Sequence, residues 1–194
     1  MKNVRLIILA VVCVALICGG FFLLKSRMGG EEEELTKVQK IVTRNLEADY
    51  PPTPREVIKF YNRIITSYYE GGYTDEEFEA LTDQALLLFD DELASNNPKD
   101  AYQKQIQEEV EDYKSRKRSI SSTSVCDTRD VVWLTDPDTG DELAYVTASY
   151  FVKENSSFDR TYQEYVLRKD DGEHWKILTY YQVEGKSAED DGDD

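Results

Sequence analysis

The spacing of apolar residues changes once along this 194-residue chain, near residue 119, from about four to two. A period near four places side chains on one face of a helix, and a period of two places them on one face of a strand. Helices first and strands afterwards specify an α+β domain rather than alternating βαβ units.

The helical half is punctuated clearly. Thr53-Pro54-Arg55-Glu56 combines a capping threonine, proline at the first helical position and glutamate three residues after the cap. Val57, Ile58, Tyr61, Ile64, Ile65, Tyr68 and Tyr69 then follow helical spacing up to Gly71-Gly72, which ends the helix. Thr74-Asp75-Glu76-Glu77 opens a second helix, carrying Phe78, Leu81, Ala85, Leu86, Leu88 and Phe89. A third is predicted from Pro98 to about Arg118, with Tyr102, Ile106, Val110 and Tyr113 on a narrower stripe. Its basic end, Lys114 to Arg118, suits the negative pole of a helix.

The second half reads as four strands, in residues 119–134, 142–154, 160–169 and 174–184, all rich in β-branched and aromatic residues. Short polar connections join them, so they are expected to form one antiparallel meander. The connection Asp136-Pro137-Asp138-Thr139-Gly140-Asp141 imitates a calcium loop. However, its glycine comes fifth where an EF-hand needs it sixth, and Thr147 stands where the bidentate glutamate belongs. A hairpin loop is the expected reading, and neither a metal site nor a cofactor is predicted.

Residues 6–24 contain no charge. As a helix they would cover roughly 28 Å, close to the hydrocarbon thickness of a bilayer. The run exceeds a secretory signal's apolar core, and Ile17 before Cys18 departs from a lipoprotein signal. An uncleaved single-pass anchor in the cell membrane is therefore predicted within residues 1–30. The carboxy-terminal part is expected outside the cytoplasm, although Lys2 and Arg5 nearly balance Lys25 and Arg27. Residues 31–52 read as a helical stalk or linker. Their stripe of Leu35, Val38, Ile41, Val42 and Leu46 is expected to pack on its own domain, self-association being the sharper alternative. The domain proper is assigned to 53–185, and 186–194 to a disordered acidic tail.

The chain carries a net charge of −16, and its first thirty residues are basic, so the remainder is still more acidic. Such a surface repels phosphate backbones and excludes nucleic acid as a partner. Cys126 is the one cysteine beyond the apolar segment, so no disulfide can form within the domain. Catalytic candidates are few. His174 is the single histidine, next to a turn; it is a weak candidate general base, and Cys126 could act as a nucleophile only beside it.

Three helices followed by a twisted meander, ending in "YVLRKDDGEHWKILTYYQVEG", resemble the NTF2-like (cystatin-like α+β cone) superfamily. The matching residues are Tyr165 to Lys169, the acidic turn Asp170 to Gly172, and Trp175-Lys176-Ile177. In layout the chain resembles the uncharacterised membrane-anchored members found in Gram-positive bacteria. One departure stands out: Asp90 to Asn97 is too short for the hairpin that nuclear transport factor itself inserts before its third helix. The resemblance implies three helices on a curved four-stranded antiparallel sheet, enclosing a cavity. Its expected lining is Tyr61, Trp133, Tyr145, Tyr165, Trp175 and Tyr181, which could equally be plain core. Three functions follow as expectations. The first is a non-enzymatic, membrane-anchored domain binding a partner protein or a small apolar ligand. The second is a self-associating assembly subunit of a cell-envelope complex, similar to secretion scaffolds. The third is a cavity enzyme of isomerase, dehydratase or hydrolase type.

Overall fold

The computed structural model describes residues 35–185. The predicted anchor at 6–24 and the tail from residue 186 lie outside them. Among the described residues no helix is long and apolar enough to cross a membrane. The fold of the described residues is α+β, with five helices and a five-stranded antiparallel sheet.

The helices are α1 (Lys37–Val42), α2 (Pro54–Glu70), α3 (Asp75–Leu86), α4 (Asp91–Asn96) and α5 (Lys99–Ser115). The starts read from sequence are where the caps form. The Thr53 hydroxyl accepts the Glu56 amide, with Pro54 leading the helix. Thr74 and Glu77 close a reciprocal capping box at 3.2 and 3.0 Å. Thr36 and Gln39 make another ahead of α1. Val38, Ile41 and Leu46 are buried in the main core and Val42 packs against it, while Leu35 is exposed. Gly71, at φ +70°, ends α2 in a conformation that side chains disfavour.

The strands are β1 (Arg118–Val125), β2 (Val132–Thr135), β3 (Glu142–Glu154), β4 (Ser157–Lys169) and β5 (Trp175–Val183). The sheet runs β1-β3-β4-β5, and β2 pairs with the same edge of β3 as β1 does. The single strand expected over 119–134 is therefore two, separated by a short 3-10 turn at Thr128–Asp130. Arg55 holds the break open by donating to the Cys126 carbonyl at 2.6 Å and the Thr128 hydroxyl at 3.0 Å. The hairpin loop between β2 and β3 forms as expected. Its Asp136 carboxylate accepts the Asp138 and Thr139 amides, and Gly140 takes φ +82°. β3 has the bounds read from sequence, while β4 starts three residues earlier than expected, at Ser157. The two are joined by the two-residue turn Asn155-Ser156, where Asn155 tolerates φ +54°.

Two elements were not foreseen. Residues 87–89 leave the helix and meet β5: the Ile177 amide donates to the Leu88 carbonyl, and the Asp90 amide donates to the Ile177 carbonyl. Asp90 then caps α4 through the Glu92 amide. It also receives Arg168 of β4 in a two-pronged pair, at 2.6 and 3.0 Å. With Asp90 buried, this pair ties the helical layer to the sheet.

Candidate functional site

Burial alternates along β3, with Ala144, Val146, Ala148, Tyr150 and Val152 facing the helices. At one end this inner face meets Leu88, Leu167, Ile177 and Trp175, which pack with almost no exposure. At the other it meets tyrosines. Tyr61, Ile65 and Tyr69 project from α2 at four-residue steps, and Tyr102, Ile106, Glu109 and Tyr113 from one stripe of α5. The sheet contributes Ile120, Tyr150, Thr161, Gln163, Tyr165 and Tyr180. Between them remains a cleft of about 120 Å³.

Seven of the chain's thirteen tyrosines line this cleft: Tyr61, Tyr69, Tyr102, Tyr113, Tyr150, Tyr165 and Tyr180. The rings of Tyr61, Tyr165 and Tyr180 form a triangle with centroid separations of 5.6 to 6.5 Å. Tyr69 and Tyr113 lie 4.4 Å apart nearer the opening. Burial pushes the hydroxyls of Tyr61, Tyr102, Tyr150 and Tyr165 well above the ordinary phenol range. Tyr69 is raised by burial and then by the adjacent Glu109 carboxylate. At neutral pH these groups are uncharged hydroxyls, each able to donate and accept one hydrogen bond or more.

A hydrogen-bond chain crosses the cleft floor. Tyr165 contacts the Gln163 Oε1 at 2.7 Å and the Tyr150 hydroxyl, and Tyr150 contacts the Asn62 Oδ1 at 2.6 Å. Three links need three protons, while two hydroxyls supply two. Turning either terminal amide, Asn62 or Gln163, to present its NH2 group balances the chain. The network fixes ring positions and keeps the floor neutral. Among the residues lining the cleft, Glu109 is the one charged group. The opening beyond it is a wider depression of about 380 Å³, bordered by Arg118, Glu154, Asp159 and Gln182. Arg118 is already paired with Glu154 at 2.7 Å.

Of the six lining residues read from sequence, Tyr61 and Tyr165 border the cleft and are buried. Tyr145 and Tyr181 lie on the outer face of the sheet. There Tyr181 is 45% exposed and donates to Glu164 at 2.6 Å, a carboxylate contact that pushes its hydroxyl up to about 12. A β-bulge is the reason. Val166 pairs with Thr179 but Leu167 pairs with Ile177, leaving Leu178 as an extra residue in β5. An extra residue reverses the faces beyond it, so Trp175 and Ile177 point inward and then Tyr180, not Tyr181. Trp133 and Trp175 meet edge to face at 5.4 Å, at the closed end of the sheet rather than at the cleft. Trp175 is buried there and Trp133 is 56% exposed.

His174 also lies away from the cleft. Its ring lies 4.4 Å from that of Tyr50, tilted by 40°, its Nδ1 is 3.8 Å from Asp170, and its side chain is 44% exposed. Cys126 sits where β1 ends, its amide bonded to the Thr147 carbonyl, and burial raises its thiol. A raised thiol is a poorer nucleophile at neutral pH. Among the described residues no cluster of histidine, cysteine and carboxylate side chains could hold a metal ion. The residues missed from sequence are Tyr69, Tyr102, Tyr113, Tyr150 and Tyr180, with Gln163 and Glu109. The tyrosines on α2 and α5 could have been found by laying the two helical stripes side by side.

A family model described as "Domain of unknown function (DUF6715)" matches residues 1–180. The chain belongs to this family. The match takes in the apolar segment at 6–24 together with the helices and most of the sheet. No curated protein matches the chain significantly.

Proposed function

We propose that this chain is a non-catalytic binding protein whose site is the tyrosine-lined cleft, in a domain of NTF2-like cone architecture. Residues 6–24 anchor it in the cell membrane, and the domain stands outside the cytoplasm. The observation that carries the reading is the cleft itself. A stability-driven core closes over its large residues, as the Leu88–Ile177 end does. Here seven tyrosines converge and a space of about 120 Å³ is left between them. The space has room for roughly four water-sized groups, and an engineered cavity of about 150 Å³ accepts benzene. A compact ligand of a few heavy atoms fits; a drug-sized one, needing about 300 Å³ or more, does not enter whole. Against a cavity enzyme, His174 and Cys126 are both outside the cleft, and the lining offers Glu109 no histidine, lysine or thiol, only tyrosines whose hydroxyls burial keeps protonated.

Calorimetric titration of phenol against the full chain in nonionic detergent micelles, corrected for partition into empty micelles, tests this. Binding is expected for the natural chain and is expected to vanish in Ile106→Phe, which fills the space. Equal binding by both proteins would place any phenol site elsewhere and overturn the reading.

One observation favours an assembly role as a second reading. Val132, Trp133 and Leu134 are consecutive, exposed and apolar on β2, an edge strand paired with β3 alone. Such an edge is a template for strand pairing. Concentration-dependent mass that disappears in Trp133→Lys would support that reading; a constant monomer mass would remove it.

A further inference from the structure

We infer that the ligand class of the cleft is a small organic cation, an alkyl- or methylammonium group. This inference rests on the binding reading above. Three independent features of the site select that charge and chemistry.

The first is the wall. Aromatic rings attract cations through the negative potential of their faces, and clusters of them recognise ammonium groups that carry methyl or alkyl substituents. Tyr61, Tyr69, Tyr102 and Tyr180 surround the space from both helices and the sheet, while Tyr113 at the opening already holds the Arg118 guanidinium 5.7 Å over its ring. The second is the charge balance. The cleft has no lysine or arginine in its lining, and Glu109 stands at its opening. In the outer depression Glu154 neutralises Arg118, so Glu109 and Asp159 leave the approach negative. An anion entering this path would meet two carboxylates and no free cation. The third is the polarity of the floor. The chain from Gln163 through Tyr165 and Tyr150 to Asn62 supplies only uncharged groups, and its two hydroxyls are already bonded to each other and to the terminal amides. The unpaired Asn62 Nδ2 belongs to a residue that does not line the cleft. The floor offers few unsatisfied donors for a carboxylate or phosphate. It costs a substituted ammonium little, since such a cation demands few hydrogen bonds.

Size agrees with charge. A tetramethylammonium-sized group fits a space of about 120 Å³, with longer substituents reaching past Glu109 into the depression of about 380 Å³. The acidic surface of the whole chain, at net −16, raises the local concentration of cations around the opening.

The test compares tetramethylammonium chloride with tert-butyl alcohol, a neutral group of similar shape. Calorimetric titrations use the full chain in nonionic detergent at fixed ionic strength. The cation is expected to bind at least several-fold more tightly than the alcohol. Glu109 is exposed, so Glu109→Gln leaves the fold intact; it is expected to weaken the cation by about three- to tenfold and to leave the alcohol unchanged. Alcohol binding as tight as the cation, or a cation affinity indifferent to Glu109→Gln, would overturn the inference while leaving a binding cleft in place. Failure of tetramethylammonium, tert-butyl alcohol and phenol alike to bind would overturn both.

Discussion

The two ends of the helix–sheet layer bury large side chains about equally, yet they are finished with different chemistry. At the closed end, Leu88, Leu167 and Ile177 are fully buried, and backbone hydrogen bonds run from residues 88 and 90 to β5. Arg168 locks that end by gripping Asp90, Glu92 and Asp141. At the open end, tyrosine hydroxyls replace methyl groups, they bond to one another, and a space remains. An apolar, ion-clamped end is what stability alone selects. A polar aromatic end with leftover volume gives up dispersion contacts that tighter packing would supply. Under the proposed function, the closed end serves structure and the open end serves binding.

Alkali should break the comparison most forcefully, because it acts on the open end. Tyr61, Tyr102, Tyr150 and Tyr165 have folded-state hydroxyl pKa values raised by burial above their unfolded value near 10. Above that pH the unfolded chain loses these protons while the folded chain keeps them, so stability is intact below pH 10 and falls as pH rises. Each such tyrosine contributes about 1.4 kcal/mol per pH unit. Denaturant midpoints measured from pH 8 to 11.5 are expected to drop steeply beyond pH 10, with the tyrosinate absorbance of the buried cleft tyrosines, in excess of the six tyrosines outside the cleft, appearing together with unfolding. Ionisation of more than those six tyrosines ahead of unfolding would show the cleft to be open to hydroxide.

At the closed end, Arg168→Met leaves the Asp90 carboxylate buried without its partner. The expected loss is about 3–5 kcal/mol, read from urea unfolding. A loss below 1 kcal/mol would mean that the clamp is decorative and that the ends differ less than proposed. Tyr150→Phe removes one hydroxyl from the chain across the cleft floor and is expected to cost about 1–3 kcal/mol. Glu109→Gln sits at the other extreme. Its expected effect on stability is within about 0.5 kcal/mol, since no described contact of the fold depends on it beyond Tyr69. A much larger loss would turn Glu109 from a ligand-facing group into a structural one.

Much of the fold is legible in the sequence because its signals are local. Thr53-Pro54 and Thr74 to Glu77 carry their caps within four residues, and period-two alternation locates the strands. The rest depends on groups far apart in the chain. Asp90 reads as one more loop acid until Arg168, 78 residues later, is brought against it. α4 is six residues long, and only Leu93 and Ala94 lean on the core, too few to make an apolar stripe. Of the cleft, Tyr61 and Tyr165 were legible from face assignment alone. Tyr180 was exchanged for Tyr181 because a bulge at Leu178 reverses the faces and leaves no mark in the pattern of residue types. Tyr150 faces inward by simple alternation with Ala148 and Val152, and its role appears only when Asn62 and Gln163 are beside it.

The most direct test of the division between the ends is methyl NMR of isoleucine-labelled full-length chain during phenol titration. Ile65, Ile106 and Ile120 line the cleft, and Ile177 reports on the closed end. The account predicts saturable shifts at the first three residues and none at Ile177. Shifts at Ile177 with silence at Ile106 and Ile120 would contradict it.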